Sequence, residues 1–349
     1  MEIGIVGMKF TGKTTLFNAI TGQRVAVGAG DVEPHRAAAP VPDPRLDRLA
    51  AMFRPRKITP ASVGWVDVPG FAAGGSEARR EATRFLEHGR RVDVLVQVVR
   101  GFTNGHGPVD PAREIDDLAA ELVLADLLVV ENRLERLAGD RRKGAQAGNP
   151  LEAPLLERCR ARLAEGLPLR GLDMSPDDRR LVAGFAFLSL KPRIAVLNVA
   201  EEGIDAAHLA AARATGAEVV DLCARLEAEI AELPAVERAE FLAHLGIAEP
   251  ALARTVRAAY RALGLHSFFT VGEDECRAWT VRQGALAPEA AGAIHSDLER
   301  GFIRAEVCAY DELVAAGGLA EAKRASAMKL EGKSYVVRDG DVLNIRFSV

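Results

Sequence analysis

The octapeptide GMKFTGKT at residues 7–14 limits the fold of this chain more than any other feature. It fits the phosphate-binding pattern G-x-x-x-x-G-K-[ST], which requires a strand before it and a helix after it. The apolar run EIGIV precedes the octapeptide, and the helical pattern TLFNAI follows it. This order predicts a parallel α/β sheet in which N–H groups of the loop and of the helix start face phosphate oxygens.

The side chains of this loop have distinct predicted roles. Lys13 is placed to neutralise β- and γ-phosphate oxygens, and the Thr14 hydroxyl is a candidate Mg²⁺ ligand. Gly12 leaves room for backbone to approach phosphate. Further nucleotide contacts are predicted at Lys9, Phe10, Thr11 and Thr15. The alternative interpretation is a glycine-containing turn with a solvated lysine.

A second motif, D-x-x-G, occurs at residues 67–70 after an apolar strand. In GTPase-like proteins this element senses Mg²⁺ and the γ-phosphate, so Asp67 is predicted to hold the metal through water and Gly70 to contact phosphate. A plain turn at the end of a strand is the alternative. Phe71 follows, where Ras-type enzymes carry a glutamine that positions water. Phenylalanine cannot do this, so another group positions water or turnover is slow. His106 is a second candidate, with loop capping as its alternative.

The base-reading motif N/T-K-x-D of GTPases is absent from the sequence. The strand ending at Leu197 instead leads into Asn198-Val199-Ala200-Glu201. Adenine offers an amine and a bare ring nitrogen, so a carboxylate placed for guanine gains less from it. The sequence therefore does not support guanine specificity. Cys223 follows the next strand and is predicted to back the base.

The pattern of apolar residues divides the remaining chain into segments. Apolar runs predict strands at residues 2–7, 62–68, 93–99, 193–198 and 218–222. Apolar residues at steps of three and four predict a long amphipathic helix over 114–137, and a second helix carries Leu155, Cys159 and Leu163 on one face. These two helices are predicted to form an inserted antiparallel hairpin, with ordinary surface helices as the alternative. After residue 264 the chain is rich in strand patterns, with a hairpin turn predicted at Asp339-Gly340.

Composition excludes several classes of protein. Lys plus Arg number 45 and Asp plus Glu 49, so a globally basic nucleic-acid binder is excluded while a local basic patch is not. The four cysteines are far apart and predict neither disulfides nor a zinc site. No apolar stretch approaches about 20 residues, which predicts no membrane span. We expect a cytoplasmic, monomeric protein without a DNA partner.

Several segments together resemble the YchF or Obg-like ATPase family, a translation-factor-related branch of the P-loop GTPases. They include GKTTLFNAITG, VDVLVQVVRGF, KPRIAVLNVAEE, RAWTVRQGALAPEAAGAIHSDLERGFIRAEV and LEGKSYVVRDGDVLNIRF. The resemblance implies an α/β fold. Its parts are a P-loop Ras-like G domain at 1–112 and 173–264, an inserted α-helical coiled-coil hairpin at 113–172, and an α+β TGS (β-grasp-like) domain at 265–349.

The resemblance also implies an ATP-preferring enzyme that associates with ribosomes or ribosomal RNA. The family's base-reading motif is N-x-x-E, which Asn198 and Glu201 match, and a hydrophobic residue stands where Phe71 lies. Lys13, Gly70 and Phe71 are thus the catalytic candidates. The cofactors are predicted to be ATP and Mg²⁺, with Thr14 and Asp67 as metal residues. The nucleotide is assigned to Lys9, Phe10, Thr11, Gly12, Lys13, Thr14, Thr15, Asn198, Val199, Glu201 and Cys223.

The chain departs from the family pattern in both switch regions. The family loop is close to G-x-P-N-V-G-K-S, and Asp31 stands where the family offers a threonine. The glycine-rich stretch after D-x-x-G has lost its later glycines. These departures predict a divergent paralogue that keeps nucleotide binding, and they are compatible with either retained or lost hydrolysis. Two alternatives follow: a GTP-specific GTPase, and a nucleotide-sensing RNA-binding adaptor without turnover.

Overall fold

The computed structural model describes residues 1–28, 33–70, 75–105, 107–142, 149–244 and 249–348. The chain divides into two compact units, one of residues 1–37 and 64–255 and another of residues 38–63 and 256–349. This division differs from the expected one, because residues 38–63 group with the C-terminal segment. The helical insertion groups with the first unit. The three-domain boundaries stay a prediction.

The elements alternate along the chain as the sequence predicts for an α/β protein. The strands are β1 (Glu2–Val6), β2 (His35–Pro40), β3 (Lys57–Thr59), β4 (Ser62–Asp67), β5 (Val94–Gly101), β6 (Arg193–Val199), β7 (Glu218–Leu222), β8 (Leu265–Thr270), β9 (Glu275–Arg282), β10 (Phe302–Ala309), β11 (Lys329–Glu331) and β12 (Asp341–Phe347). The helices are α1 (Lys13–Thr21), α2 (Pro44–Phe53), α3 (Gly75–Arg91), α4 (Pro111–Arg142), α5 (Glu152–Ala164), α6 (Pro176–Val182), α7 (Ala206–Ala214), α8 (Ala224–Glu232), α9 (Ala235–His244), α10 (Ala251–Ala262), α11 (Ala287–Ile294), α12 (Ser296–Arg300), α13 (Tyr310–Ala316) and α14 (Leu319–Arg324).

The sheet of the first unit explains why the functional motifs meet. In the described part of the chain it has the order β2-β4-β1-β5-β6-β7, and the pairs from β4 through β7 run parallel. Every residue of β5 is buried, as expected for a strand covered on both faces. Ile5 pairs with Asp67 and Arg100 pairs with Asn198, so the carboxyl ends of these strands share one edge. The five strands predicted for this sheet are confirmed.

The long helix α4 contributes to two apolar cores. Its first half packs on the sheet through Leu118, Leu122 and Ala125, together with Phe85 of α3. Its second half packs against α5, where Leu155, Leu156, Cys159 and Leu163 are buried. The inserted helical pair is therefore confirmed, but α5 has 13 residues against 32 for α4. In the described residues, none of the helices combines the length and apolarity needed to cross a membrane.

The second unit is built on a separate mixed sheet. Its described strands have the order β11-β10-β12-β8-β9-β3. The short strand β3 was not predicted, and it pairs in parallel with β9 at the sheet edge. The predicted hairpin at Asp339-Gly340 is wrong. A turn does occur there, with Gly340 at φ 90°, but β12 pairs with β10 and β8 rather than with β11.

Candidate functional site

The phosphate loop between β1 and α1 adopts a backbone conformation that needs glycine at two positions. Gly7 has φ 143°, and a Cβ there would lie 2.5 Å from the carbonyl oxygen of Val98. Gly12 has φ 95°, and a Cβ there would lie 2.2 Å from Nδ2 of Asn198. Phe10 also has a positive φ of 62°, which costs a non-glycine residue about 1–3 kcal/mol. The loop is therefore held in a conformation that the neighbouring strands impose.

Lys13 is the central buried cation of the site. Its side chain is 7% exposed, and its Nζ donates a hydrogen bond of 2.6 Å to the carbonyl oxygen of Met8. Burial lowers the pKa of Lys13 to about 8, and the nearby carboxylate of Asp67 opposes that shift. Gly70 lies directly against this ammonium, since a Cβ on Gly70 would be 2.5 Å from Nζ. A side chain at position 70 would therefore crowd the Lys13 ammonium and the backbone of Gly7 and Lys9.

Thr14 and Asp67 form a pair suited to a magnesium ion. The Thr14 hydroxyl donates to Oδ2 of Asp67 over 2.7 Å, and Asp67 is 6% exposed. Magnesium prefers oxygen ligands and is usually bound by one or two carboxylates with substrate phosphates and water. Among the described residues there is no group of three or more His, Cys, Asp or Glu that could hold a metal alone. The donor set thus fits Mg²⁺ that is bound together with phosphate.

A cleft of about 350 Å³ opens over this loop. Of the described residues that line it, the charged ones are Lys9, Lys13, Arg84, Glu33, Asp67 and Glu81. The cations Lys9 and Lys13 come from the loop itself, and Arg84 comes from α3. Preorganised cations beside loop amides are the arrangement by which proteins bind polyphosphates.

Asn198 connects the phosphate loop to the opposite end of the site. Its Nδ2 donates to the carbonyl oxygen of Thr11 over 2.9 Å, and its Oδ1 accepts from the amide of Ala224 over 2.9 Å. The side chain is 6% exposed. Both hydrogen-bonding ends of the amide are therefore engaged with protein. Asn198 joins β6, the loop and the start of α8.

Glu201, the other predicted base-reading residue, lies at the surface. Its Oε1 is 3.2 Å from Nη2 of Arg225, and the two side chains are 50% and 75% exposed. Arg225 also contacts Glu229 one turn along α8 at 3.3 Å. Cys223 stands at the N-cap of α8 as a free thiol. Val199 ends β6 and packs partly buried against its apolar core.

The structure brings most of the predicted residues to one edge of the sheet. Lys9, Gly12, Lys13, Thr14, Asp67 and Gly70 all line the cleft. Thr15 lies on the first turn of α1, and Thr11 is buried with its hydroxyl donating to Met8. Phe71, Asp31 and His106 lie outside the described residues.

Sequence reasoning missed several contributors to the site, among them Glu33, Glu81, Arg84 and Asn104. Glu81 and Arg84 reach the cleft from α3, and Nδ2 of Asn104 donates to the carbonyl oxygen of Phe10 over 3.2 Å. The position of Glu81 and Arg84 on a helix following D-x-x-G was a usable signal. Nothing in the sequence around Asn104 indicates its contact.

Comparisons with known proteins agree with this geometry. Residues 2–133 match the family described as "50S ribosome-binding GTPase", and residues 265–348 match the YchF GTPase C-terminal family, described as "Protein of unknown function (DUF933)". The chain is 41% identical over 364 residues to the "Ribosome-binding ATPase YchF" of Pasteurella multocida, covering 100% of this chain and 99% of that protein. It is 40% identical over 369 residues to the protein of that name from Bacillus subtilis, covering both chains completely.

More distant relatives cover the chain equally well. "Obg-like ATPase 1" of Oryza sativa is 31% identical over 367 residues, covering 100% of this chain and 92% of that protein. The solved structure of the Schizosaccharomyces pombe YchF GTPase matches with a TM-score of 0.84 at 30% identity, over 99% of this chain and 97% of that one. Full-length similarity of this extent, together with the phosphate loop and D-x-x-G geometry, shows that this chain belongs to the YchF family of P-loop proteins.

Proposed function

We propose that this protein binds ATP at the phosphate loop, hydrolyses it slowly with Mg²⁺, and associates with ribosomes. The observation that carries the proposal is the buried ammonium of Lys13 beside the Thr14–Asp67 contact on the glycine-bent loop. The relatives named as ATPases support the reaction. The geometry supports a polyphosphate ligand that is bound together with a metal ion.

Each residue has a role that follows from its charge and position. Loop amides and Lys13 hold the phosphates, and Lys13 stabilises charge that develops on the transferred phosphoryl group. Thr14 and Asp67 would hold Mg²⁺, which when bound neutralises phosphate charge. Gly70 is positioned to offer backbone at the third phosphate. Slow turnover is expected because Phe71 occupies the place of a water-positioning glutamine.

The choice of adenine over guanine follows from what the base end can offer. A carboxylate that reads guanine accepts from the ring N–H and the exocyclic amine. Glu201 already faces the guanidinium of Arg225, and both ends of the Asn198 amide are engaged. These contacts favour a base that needs no carboxylate. GTP is the second candidate, because the matching G-domain family and the S. pombe structure carry the name GTPase.

Calorimetric titration of the purified protein with ATP and GTP, each with Mg²⁺, separates these candidates. Tighter binding of ATP supports the proposal, and tighter binding of GTP contradicts it. Phosphate release by the wild type and by Lys13→Ala tests the enzyme. The rate of phosphate release by the variant should be lower by about 100-fold or more, which is the scale expected for the loss of two charge-assisted hydrogen bonds. Equal release by both proteins would instead support a nucleotide-sensing adaptor.

Ribosome association is proposed from the names of the relatives, which are ribosome-binding ATPases. Contacts to a phosphate backbone weaken steeply with salt, because bound counterions are released on association. The protein should co-sediment with ribosomes at low salt and less so at high salt. A protein that stays in the supernatant at every salt concentration has no such role. A cytoplasmic location and monomeric state belong to this proposal.

A further inference from the structure

An ion pair joins the phosphate loop to helix α3. Nζ of Lys9 lies 2.5 Å from Oε1 of Glu81, across 72 positions of sequence. The lysine side chain is 39% exposed and the glutamate side chain 13%. The carboxylate is thus the more enclosed partner, and the ammonium sits towards the mouth of the cleft.

The position of Lys9 places this pair at the D-x-x-G end of the loop. A Cβ added to Gly70 would lie 3.1 Å from the backbone nitrogen of Lys9 and 2.5 Å from Nζ of Lys13. Gly70 is the residue proposed to meet the third phosphate. Lys9 and Glu81 therefore border the part of the cleft where ATP and ADP differ.

The charges make Glu81 a competitor of the third phosphate. A carboxylate that lines a polyphosphate cleft repels the incoming anion, and here the carboxylate of Glu81 is also paired with the loop cation Lys9. A phosphate that binds Lys9 must displace Glu81. Arg84 lies one helical turn further along α3 and lines the same cleft, so it offers the displaced carboxylate another cation.

The opposite end of α3 has a second and stronger tie. Nη1 of Arg90 is 3.1 Å from Oδ1 of Asp126 on α4. Asp126 is fully buried and also accepts from the amides of Leu188 and Ser189 over 3.0 and 2.7 Å. This end of α3 is fixed by a satisfied buried network, whereas the Lys9–Glu81 tie is partly exposed.

We propose that Glu81 is a specificity-determining residue that lowers the preference of the site for ATP over ADP, because the third phosphate must displace Glu81 from Lys9 before it can bind. When ADP is bound, Lys9 stays paired with Glu81 and α3 stays tied to the loop. When ATP is bound, Lys9 turns to the phosphate, and α3 loses this tie to the loop while Phe85 stays in the core and Arg90 stays paired with Asp126. The inference rests on nucleotide binding as proposed above, but not on the identity of the base.

Nucleotide affinities of Glu81→Gln test the competition. The variant should bind Mg-ATP about tenfold more tightly than the wild type, because one opposing charge and one ion pair are removed, and should bind ADP within about twofold. Glu87→Gln is the matched control, since it makes the same change at an exposed position of α3. Unchanged or weaker ATP binding by Glu81→Gln, or an equal gain for ADP, overturns the proposal.

A double-mutant cycle assigns the effect to Lys9. In a Lys9→Met background, the gain from Glu81→Gln should fall to about twofold or less, because the pair no longer exists. A gain that persists at tenfold overturns the assignment to this pair.

Hydrogen exchange of α3 amides supplies a structural readout. ATP should speed exchange in the first turns after Glu81 in the wild type, ADP should not, and Glu81→Gln should exchange fast without nucleotide. Slow exchange in all three states overturns the release of α3. If the wild type binds GTP rather than ATP, the proposed function fails and the same experiments with GTP and GDP still decide the role of Glu81. A wild type that binds neither nucleotide refutes both.

Discussion

The phosphate end and the base end of the proposed nucleotide site are built differently. At the phosphate end, Lys13 and Asp67 are buried, Thr14 is half-buried, and the three are bonded to one another or to backbone at 2.6–2.7 Å. At the base end, Glu201 and Arg225 are at least half exposed and meet at 3.2 Å. Exposed ion pairs contribute little because water and salt screen them, whereas enclosed contacts depend on exact partners.

This difference indicates which properties of the site tolerate substitution. Binding of the triphosphate is proposed to depend on backbone conformation and buried charge, so single substitutions there should lower ATP affinity strongly. The side chains proposed to read the base are exposed, so single substitutions there should change the base preference only mildly. Asn198 belongs to both ends, since it bonds Thr11 of the loop and Ala224, which follows Cys223 at the start of α8.

The largest effect is expected from Gly12→Ala at the phosphate end. The new Cβ would meet Nδ2 of Asn198 at 2.2 Å, and φ 95° is strained for alanine. ATP affinity should fall by about 100-fold, or ~2.7 kcal/mol. Gly22→Ala is the control, because Gly22 also has a positive φ of 68° but open space around it. If both variants lose affinity equally, the contact with Asn198 is not the cause.

The residue shared by both ends should give the next largest effect. Asn198→Ala leaves the carbonyl of Thr11 and the amide of Ala224 without their partner, which costs about 2 kcal/mol and lowers ATP affinity about 30-fold. Asn198→Asp keeps the acceptor for Ala224 but sets a carboxylate oxygen against the Thr11 carbonyl. Calorimetry on both variants separates the two contacts. An aspartate variant that binds like the wild type would show that the Thr11 contact is dispensable.

A change of pH tests the buried cation without a substitution. The pKa of Lys13 is lowered to about 8 by burial, so the free protein holds a mostly charged lysine at pH 7.5 and a mostly neutral one at pH 9. Phosphate binds the charged form, so ATP affinity should fall about eightfold between these pH values. Titrations at several pH values measure this decline. Constant affinity over that range would place the Lys13 pKa well above 9.

The smallest effect is expected at the base end. Glu201→Gln removes the charge that faces Arg225, and because the pair is exposed, ATP affinity should change by about threefold or less. The ratio of ATP to GTP affinity is the informative quantity, measured by competition binding. A loss as large as that of Gly12→Ala would contradict the contrast between the two ends.

Prediction from sequence succeeded where a pattern is local. The strands of the first sheet follow from continuous apolar runs, and α4 follows from apolar residues at helical spacing. The short strand β3 has only three residues, and its partner β9 lies more than 200 positions away, so no local pattern reveals it. Asp339 and Gly340 are typical turn residues, and a turn does form there. The strand that follows the turn, β12, pairs with β10 and β8, and the local sequence does not encode that pairing.

The candidate site shows the same limit. The sequence by itself determined the conformation of the phosphate loop, because motifs with fixed spacing encode local backbone conformation. Its assignment of Thr14 and Asp67 to a metal, and of residues 198–201 to the base, stays a prediction. Only the tertiary structure decided that both ends of the Asn198 amide are engaged, that Glu201 faces Arg225, and that Glu81 holds Lys9. These contacts join residues from different strands and helices, and parallel sheet order, rather than proximity in sequence, brings such residues together.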